Sequence, residues 1–145
     1  MAIKRSTGRS RRKAKVTLSE AFDGVKKKLY SDAAQIIKNG FADIVDETPV
    51  LTGYAASNWK VSSVGSYESI APAKDGGPYR SKISVKEDGN SVIDIIKKYG
   101  FKVDIKFFNS TPYINELEYG HSSKNSFFIK RATTRMKNEF SNLRG

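Results

Sequence analysis

The stretch TLSEAFDGVKKKLYSDAAQIIKNGFADIVDE, residues 17–47, decides the fold. Its apolar residues, Leu18, Phe22, Val25, Leu29, Ala33, Ile36, Ile37, Phe41, Ile44 and Val45, recur at spacings of mostly three and four. That period lays one stripe along one side of an α-helix. Thr17-Leu18-Ser19-Glu20 matches a capping box, in which the Thr17 hydroxyl accepts from the Glu20 amide and Glu20 reaches back. The pattern therefore predicts a helix beginning at Thr17. It should stop near Glu47, because Thr48 precedes Pro49 and is pushed out of the α region. About 30 residues at 1.5 Å each make a rod of roughly 45 Å. Gly24 and Gly40 each cost such a helix about 1 kcal/mol, and Asn39-Gly40 is a place where it could break in two.

Downstream, the period changes. Thr48 to Ser57 is rich in turn formers and reads as a loop. Asn58 to Val64 alternates, with Trp59, Val61 and Ser63 on one side, as a strand does. Residues 65–79 hold Gly65, Pro72, Gly76, Gly77 and Pro78 and read as a long exposed loop or hairpin tip. Arg80 to Glu87 alternates around Ile83 and Val85, a second strand, followed by a turn at Asp88-Gly89. Val92, Ile95, Ile96 and Tyr99 sit at helical spacing, so Ser91 to Tyr99 reads as a short helix ending at Gly100, with a strand as the alternative. Phe101, Val103, Ile105 and Phe107 alternate strictly, a further strand. Pro112 to Gly120 is a compact connection. Phe128, Ala132, Met136, Phe140 and Leu143 mark a terminal helix, with Arg131 and Arg135 together on its polar side. The expected class is α+β: a long N-terminal helix and a C-terminal helix packed on a small antiparallel sheet of three or four strands.

Upstream lies a different kind of segment. Residues 1–16 hold Lys4, Arg5, Arg9, Arg11, Arg12, Lys13 and Lys15 with no acid, and only Ile3 and Val16 could pack. This reads as an extended basic arm, disordered alone in water and ordered by a partner, ahead of a single domain over 17–145. The formal net charge of the chain is +11. Residues 1–16 carry +7, residues 124–145 carry +5 and the body between them −1, so the excess sits at the two ends. Such segregation points to a polyanion or an acidic protein surface as the partner. Lys4, Arg5, Arg9, Arg11, Arg12, Lys13, Lys15, Arg131 and Arg135 are the candidate contacts.

Composition narrows the rest. At 145 residues the chain has room for one real core. It has no cysteine, which excludes disulfides and thiolate metal sites. No apolar run approaches the roughly 20 residues that span a bilayer, and the basic N-terminus has no apolar stretch behind it. A soluble protein made in the cytoplasm, with no membrane contact, is expected.

Little in the chain suggests catalysis. His121 is the only histidine and reads as a loop residue after Gly120, where a surface or interface role suffices. Glu116 and Glu118, two apart, would share a face on a strand and could pair as acid and base, but they read better as surface or interface charges. Asp43, Asp46 and Glu47 read as solvated groups that could pair with a neighbour's arm. Gly76-Gly77 and Gly8 match no phosphate-binding pattern. Tyr79 beside Arg80 and Lys82 is an aromatic among cations, as nucleic-acid sheets use, though such triplets are common. No cofactor, metal or catalytic residue is expected. Seven clustered cations can neutralise phosphates in a salt-dependent, sequence-blind way, or can thread over an acidic subunit.

Two segments carry a resemblance. Thr48-Pro49-Val50-Leu51-Thr52-Gly53-Tyr54-Ala55-Ala56-Ser57-Asn58-Trp59 resembles the "TPVDTGxLRxSW" segment of the head–tail connector and tail-completion (neck) proteins of tailed bacteriophages. Asn109-Ser110-Thr111-Pro112-Tyr113-Ile114-Asn115-Glu116-Leu117-Glu118-Tyr119-Gly120 resembles their "NxxPYAxxxEYG" segment. Leu51 stands where the family often has Asp, and Tyr54 to Ala56 where it often has a Leu-Arg pair. The resemblance covers about residues 17–143 and implies a non-enzymatic virion protein at the neck–tail junction, in a ring on the order of six or twelve subunits built from one repeated head-to-tail interface. Portal-side, neck and tail proteins would be its partners, and double-stranded genomic DNA would pass through its lumen. Thr48, Pro49, Gly53, Trp59, Pro112, Tyr113, Glu118, Tyr119 and Gly120 are its motif residues, with fold-determining roles: Pro49 ends the helix, Gly53 turns with positive φ, Trp59 anchors the sheet, and Tyr113 and Tyr119 pack. The alternative reading is a nucleic-acid-binding protein acting through the basic arm.

Overall fold

The computed structural model describes residues 2–50, 53–63, 78–119 and 127–143, residues 2–17 by their backbone alone. The first helix, α1, runs unbroken from Ala2 to Glu47. Its 46 residues make a rod of about 69 Å. It does not begin at Thr17, so residues 2–16 are helical and not an extended arm. The physical reason is cooperativity. Once the packed half has formed, each added residue gains a hydrogen bond without a new nucleus, and Arg, Lys and Ala, which fill most of 9–15, are strong helix formers. The Thr17 capping box is overridden. The helix also passes through Asn39-Gly40, and it ends at Glu47 as Pro49 predicts.

Beyond α1 come a helical turn α2 (Tyr54–Ser57), strand β1 (Trp59–Ser63), helix α3 (Lys82–Glu87), a 3-10 turn (Asp88–Asn90) and helix α4 (Ser91–Tyr99). Strand β2 (Ile105–Asn109), the helical turn α5 (Ile114–Glu118) and helix α6 (Phe128–Asn142) complete the order. The class is α+β, mostly helical. The sheet has two antiparallel strands among the described residues, not the expected three or four, with Trp59 opposite Asn109 and Ser63 opposite Ile105.

The missing strand is Arg80 to Glu87, which is helical from Lys82 on. Ile83 and Val85, two apart, share a face on a strand but lie on opposite sides of a helix, and Val85 is buried while Ile83 is exposed. Ser81 decides the matter: its hydroxyl accepts from the Ser84 amide at 3.1 Å, an N-cap that starts α3. The strand expected from Phe101 starts only at Ile105, where its partner β1 ends. Gly100, at φ 63°, turns the chain after α4. A Cβ there would lie 2.8 Å from the Tyr30 hydroxyl, so this glycine serves both turn and close approach. The 65–79 loop lies outside the described residues up to residue 77.

The core sits between α1, α6 and the sheet. Phe41, Ile44 and Val45 of α1 pack with Ala55, Trp59, Val85, Leu117, Phe128 and Ala132. A second cluster joins Ala34 of α1 to Val92 and Ile96 of α4, with Tyr30, Val61 and Ile105 against it. Gly40 explains how α6 comes close: a Cβ built there falls inside the Met136 side chain. Gly24, by contrast, faces open space. Gly40→Leu should therefore lower stability by about 1–3 kcal/mol through overpacking. Gly24→Ala should raise it by up to about 1 kcal/mol through helix propensity. Urea unfolding followed by far-UV circular dichroism reads both.

Candidate functional site

The two motif segments, 50 residues apart in sequence, meet at one place. Thr48 closes α1: its hydroxyl donates to the Ile44 carbonyl at 2.6 Å and accepts from the Trp59 indole N–H at 2.8 Å. Both residues are buried, so this polar pair is satisfied inside the core. Gly53 adopts φ 90°, the positive φ expected there, and starts α2. The Tyr54 carbonyl then accepts from the Ser57 hydroxyl and the Asn58 side chain, both at 2.8 Å. The second segment closes on the first. The Asn109 side-chain amide donates to the Ala55 carbonyl at 2.7 Å, its oxygen accepts from the Thr111 amide at 2.9 Å, and the Tyr113 ring lies 6.0 Å from that of Tyr54.

Glu118 does something the sequence did not suggest. It is buried, and its carboxylate accepts from the amides of Ile129 and Lys130 at 2.9 and 3.1 Å. Its carbonyl accepts from the Phe127 amide at 2.7 Å. Phe127 occupies the N-cap position of α6 at φ 60° and supplies no side-chain cap. A carboxylate nine residues upstream takes that role and meets the positive end of the helix dipole. Glu116 is exposed and, because α5 is helical, points elsewhere, so the pairing of Glu116 with Glu118 as acid and base is not made. Tyr119 is exposed and not packed in the core, its ring edge-on to that of Phe127 at 6.3 Å. Pro112 is exposed at the start of this turn. Gly120 and His121 lie outside the described residues.

The acidic end of α1 is claimed by the chain itself. Arg135 reaches Asp43 at 3.3 Å and Glu47 at 3.1 Å, and Arg131 lies 3.7 Å from Glu47. Lys86 pairs with Asp46 at 2.9 Å. Lys82 donates to the carbonyls of Asp46 and Thr48 at 2.6 and 3.1 Å, a cation on the negative end of α1. Burial lowers the Lys82 ammonium from the usual lysine range, with Asp46 opposing. Arg80 spans Ser84 and Asp88, and its hydrogen bond to Asp88 raises it further. Tyr79 packs on Tyr54 at 5.8 Å. The Tyr79, Arg80, Lys82 triplet is thus spent on intramolecular contacts, as are Arg131 and Arg135. The side chains of Lys4, Arg5, Arg9, Arg11, Arg12, Lys13 and Lys15 lie outside the described ones.

Among the described residues, nothing covers one face of α1. Every residue from Leu18 to Leu29 is exposed, although the apolar stripe continues through them. Leu18 is 61%, Phe22 73%, Val25 68% and Leu29 41% accessible. Isolated apolar residues on a surface are ordinary, whereas these four stand in line along one helix face.

Among the described residues no group of three or more potential metal ligands occurs, and no helix is long and apolar enough to cross a membrane. Comparison with known proteins found no matching family, no matching curated protein and no matching solved structure. The role of Glu118 gives a direct test. Glu118→Ala should cost about 1–2 kcal/mol, the scale of a lost cap, while Glu116→Ala should stay within about 0.5 kcal/mol. Thermal or urea unfolding of the two variants side by side separates them.

Proposed function

We propose that the chain is a non-enzymatic structural subunit of the neck of a tailed bacteriophage, a tail-completion or head–tail joining protein. It forms a ring between portal-side proteins and the tail. The observation that carries this reading is the uncovered seam of α1. A helix exposed on all sides over residues 18–29, with four large apolar side chains in line, gains little from its own chain and is completed by protein. The motif joint supports the same reading. The two segments that resemble the neck family bond to each other through Asn109, Ala55 and the Trp59–Asn109 pair, and their polar residues serve the fold. The chemistry of a building block suffices for them.

Residues 1–16 favour a second reading, a nucleic-acid contact. Seven cations and no acid on one helical segment suit phosphate binding, either of genomic DNA in the ring's lumen or outside a virion. The two readings separate on assembly state. Light scattering and negative-stain electron microscopy of the purified chain should show closed rings with a central channel. A monomer whose low-salt binding to duplex DNA is lost on deleting residues 1–16 would replace the neck reading with the nucleic-acid one.

A further inference from the structure

We infer that the uncovered seam of α1 packs against the same seam of a second copy, with the two helices antiparallel. The inference rests on one part of the proposed function, that α1 docks on protein, and needs no virion.

The spacing of the seam is its first support. Leu18, Phe22, Val25 and Leu29 are separated by four, three and four residues, the spacing of a coiled-coil seam. The set is also its own mirror image. In an antiparallel pair centred between Asp23 and Gly24, Leu18 meets Leu29 of the other copy and Phe22 meets Val25. All four side chains of each helix are then covered, with no apolar residue left over. The lysines flanking the seam, Lys26 and Lys28, come opposite Ser19 and Ala21, so no like charges meet across it. Both are already engaged within their own chain, Lys28 with Asp32 at 3.0 Å and Lys26 over the Tyr30 ring at 5.8 Å.

Charge along the helix selects the direction. Residues 1–16 carry seven cations. The rest of α1 holds Glu20, Asp23, Asp32, Asp43, Asp46 and Glu47 against Lys26, Lys27, Lys28 and Lys38, and is net acidic. A parallel pair would lay the two basic segments side by side. The antiparallel pair keeps them apart. The contact is isologous. Added to a closed ring it joins two rings back to back and does not extend one ring.

The chain has no cysteine, so engineered ones are unambiguous. Leu18→Cys and Leu29→Cys, one of them carrying a size tag, are mixed, checked for intact helix content, and oxidised gently. In the antiparallel pair Cys at 18 faces Cys at 29, whereas two copies of position 18 lie 11 residues, about 16 Å, apart along the axis, beyond disulfide reach. The mixed disulfide should therefore exceed either homodimer several-fold. A dominant homodimer at position 18 means a parallel pair and overturns the inference. No cross-link, with a monomer by light scattering, means that another protein covers the seam and also overturns it. The neck reading fails separately, if electron microscopy shows the cross-linked pair but no ring.

Discussion

The apolar stripe of α1 is longer than the domain that covers it. From Ala33 to Val45 the stripe is buried by α4, α6 and the sheet, and from Leu18 to Leu29 it is bare. Everything packed in the molecule is arranged around the covered half. Gly40 admits α6, Gly100 admits the turn against Tyr30, and Lys82 and Lys86 tie α3 to the end of the helix. The same constraint leaves the other half of the stripe without cover among the described residues. An isolated amphipathic helix gains most of its stability from tertiary packing, so the bare half is stable in proportion to what docks on it.

The second organising element is the joint between the motif segments. Trp59 hangs on Thr48, Asn109 holds Ala55, and Glu118 starts α6. These bonds link residues far apart in sequence, and several are buried. Leaving one partner unsatisfied there costs more than the bond itself contributes. That asymmetry accounts for polar residues in these segments without invoking catalysis.

The long helix, its end before Pro49, the short helix at 91–99, the positive φ at Gly53 and the terminal helix were all legible in the sequence, because each rests on local periodicity or local backbone preference. What was not legible depends on distant partners. Glu118 reads as a surface acid until α6 folds back over it. Arg131 and Arg135 read as free cations until Asp43 and Glu47 come within reach. The 80–87 segment carries too few apolar residues for its period to speak, and Ser81 was the unused signal. The start of α1 failed for the opposite reason: a strong local cap was overruled by helix already formed. The exposure of the seam could not be read at all, since the stripe is continuous and only the fold shows where its cover ends.

The proposed neck role stands on the docking of α1 through its exposed apolar residues. Amide hydrogen exchange over residues 18–29, measured across a range of protein concentrations, tests it most directly, because protection there reports what covers the helix. The account predicts fast exchange at low concentration and protection that grows as copies assemble, while the amides of residues 33–45 stay protected throughout. Protection of 18–29 that is already full and independent of concentration would contradict it, as would fast exchange at every concentration.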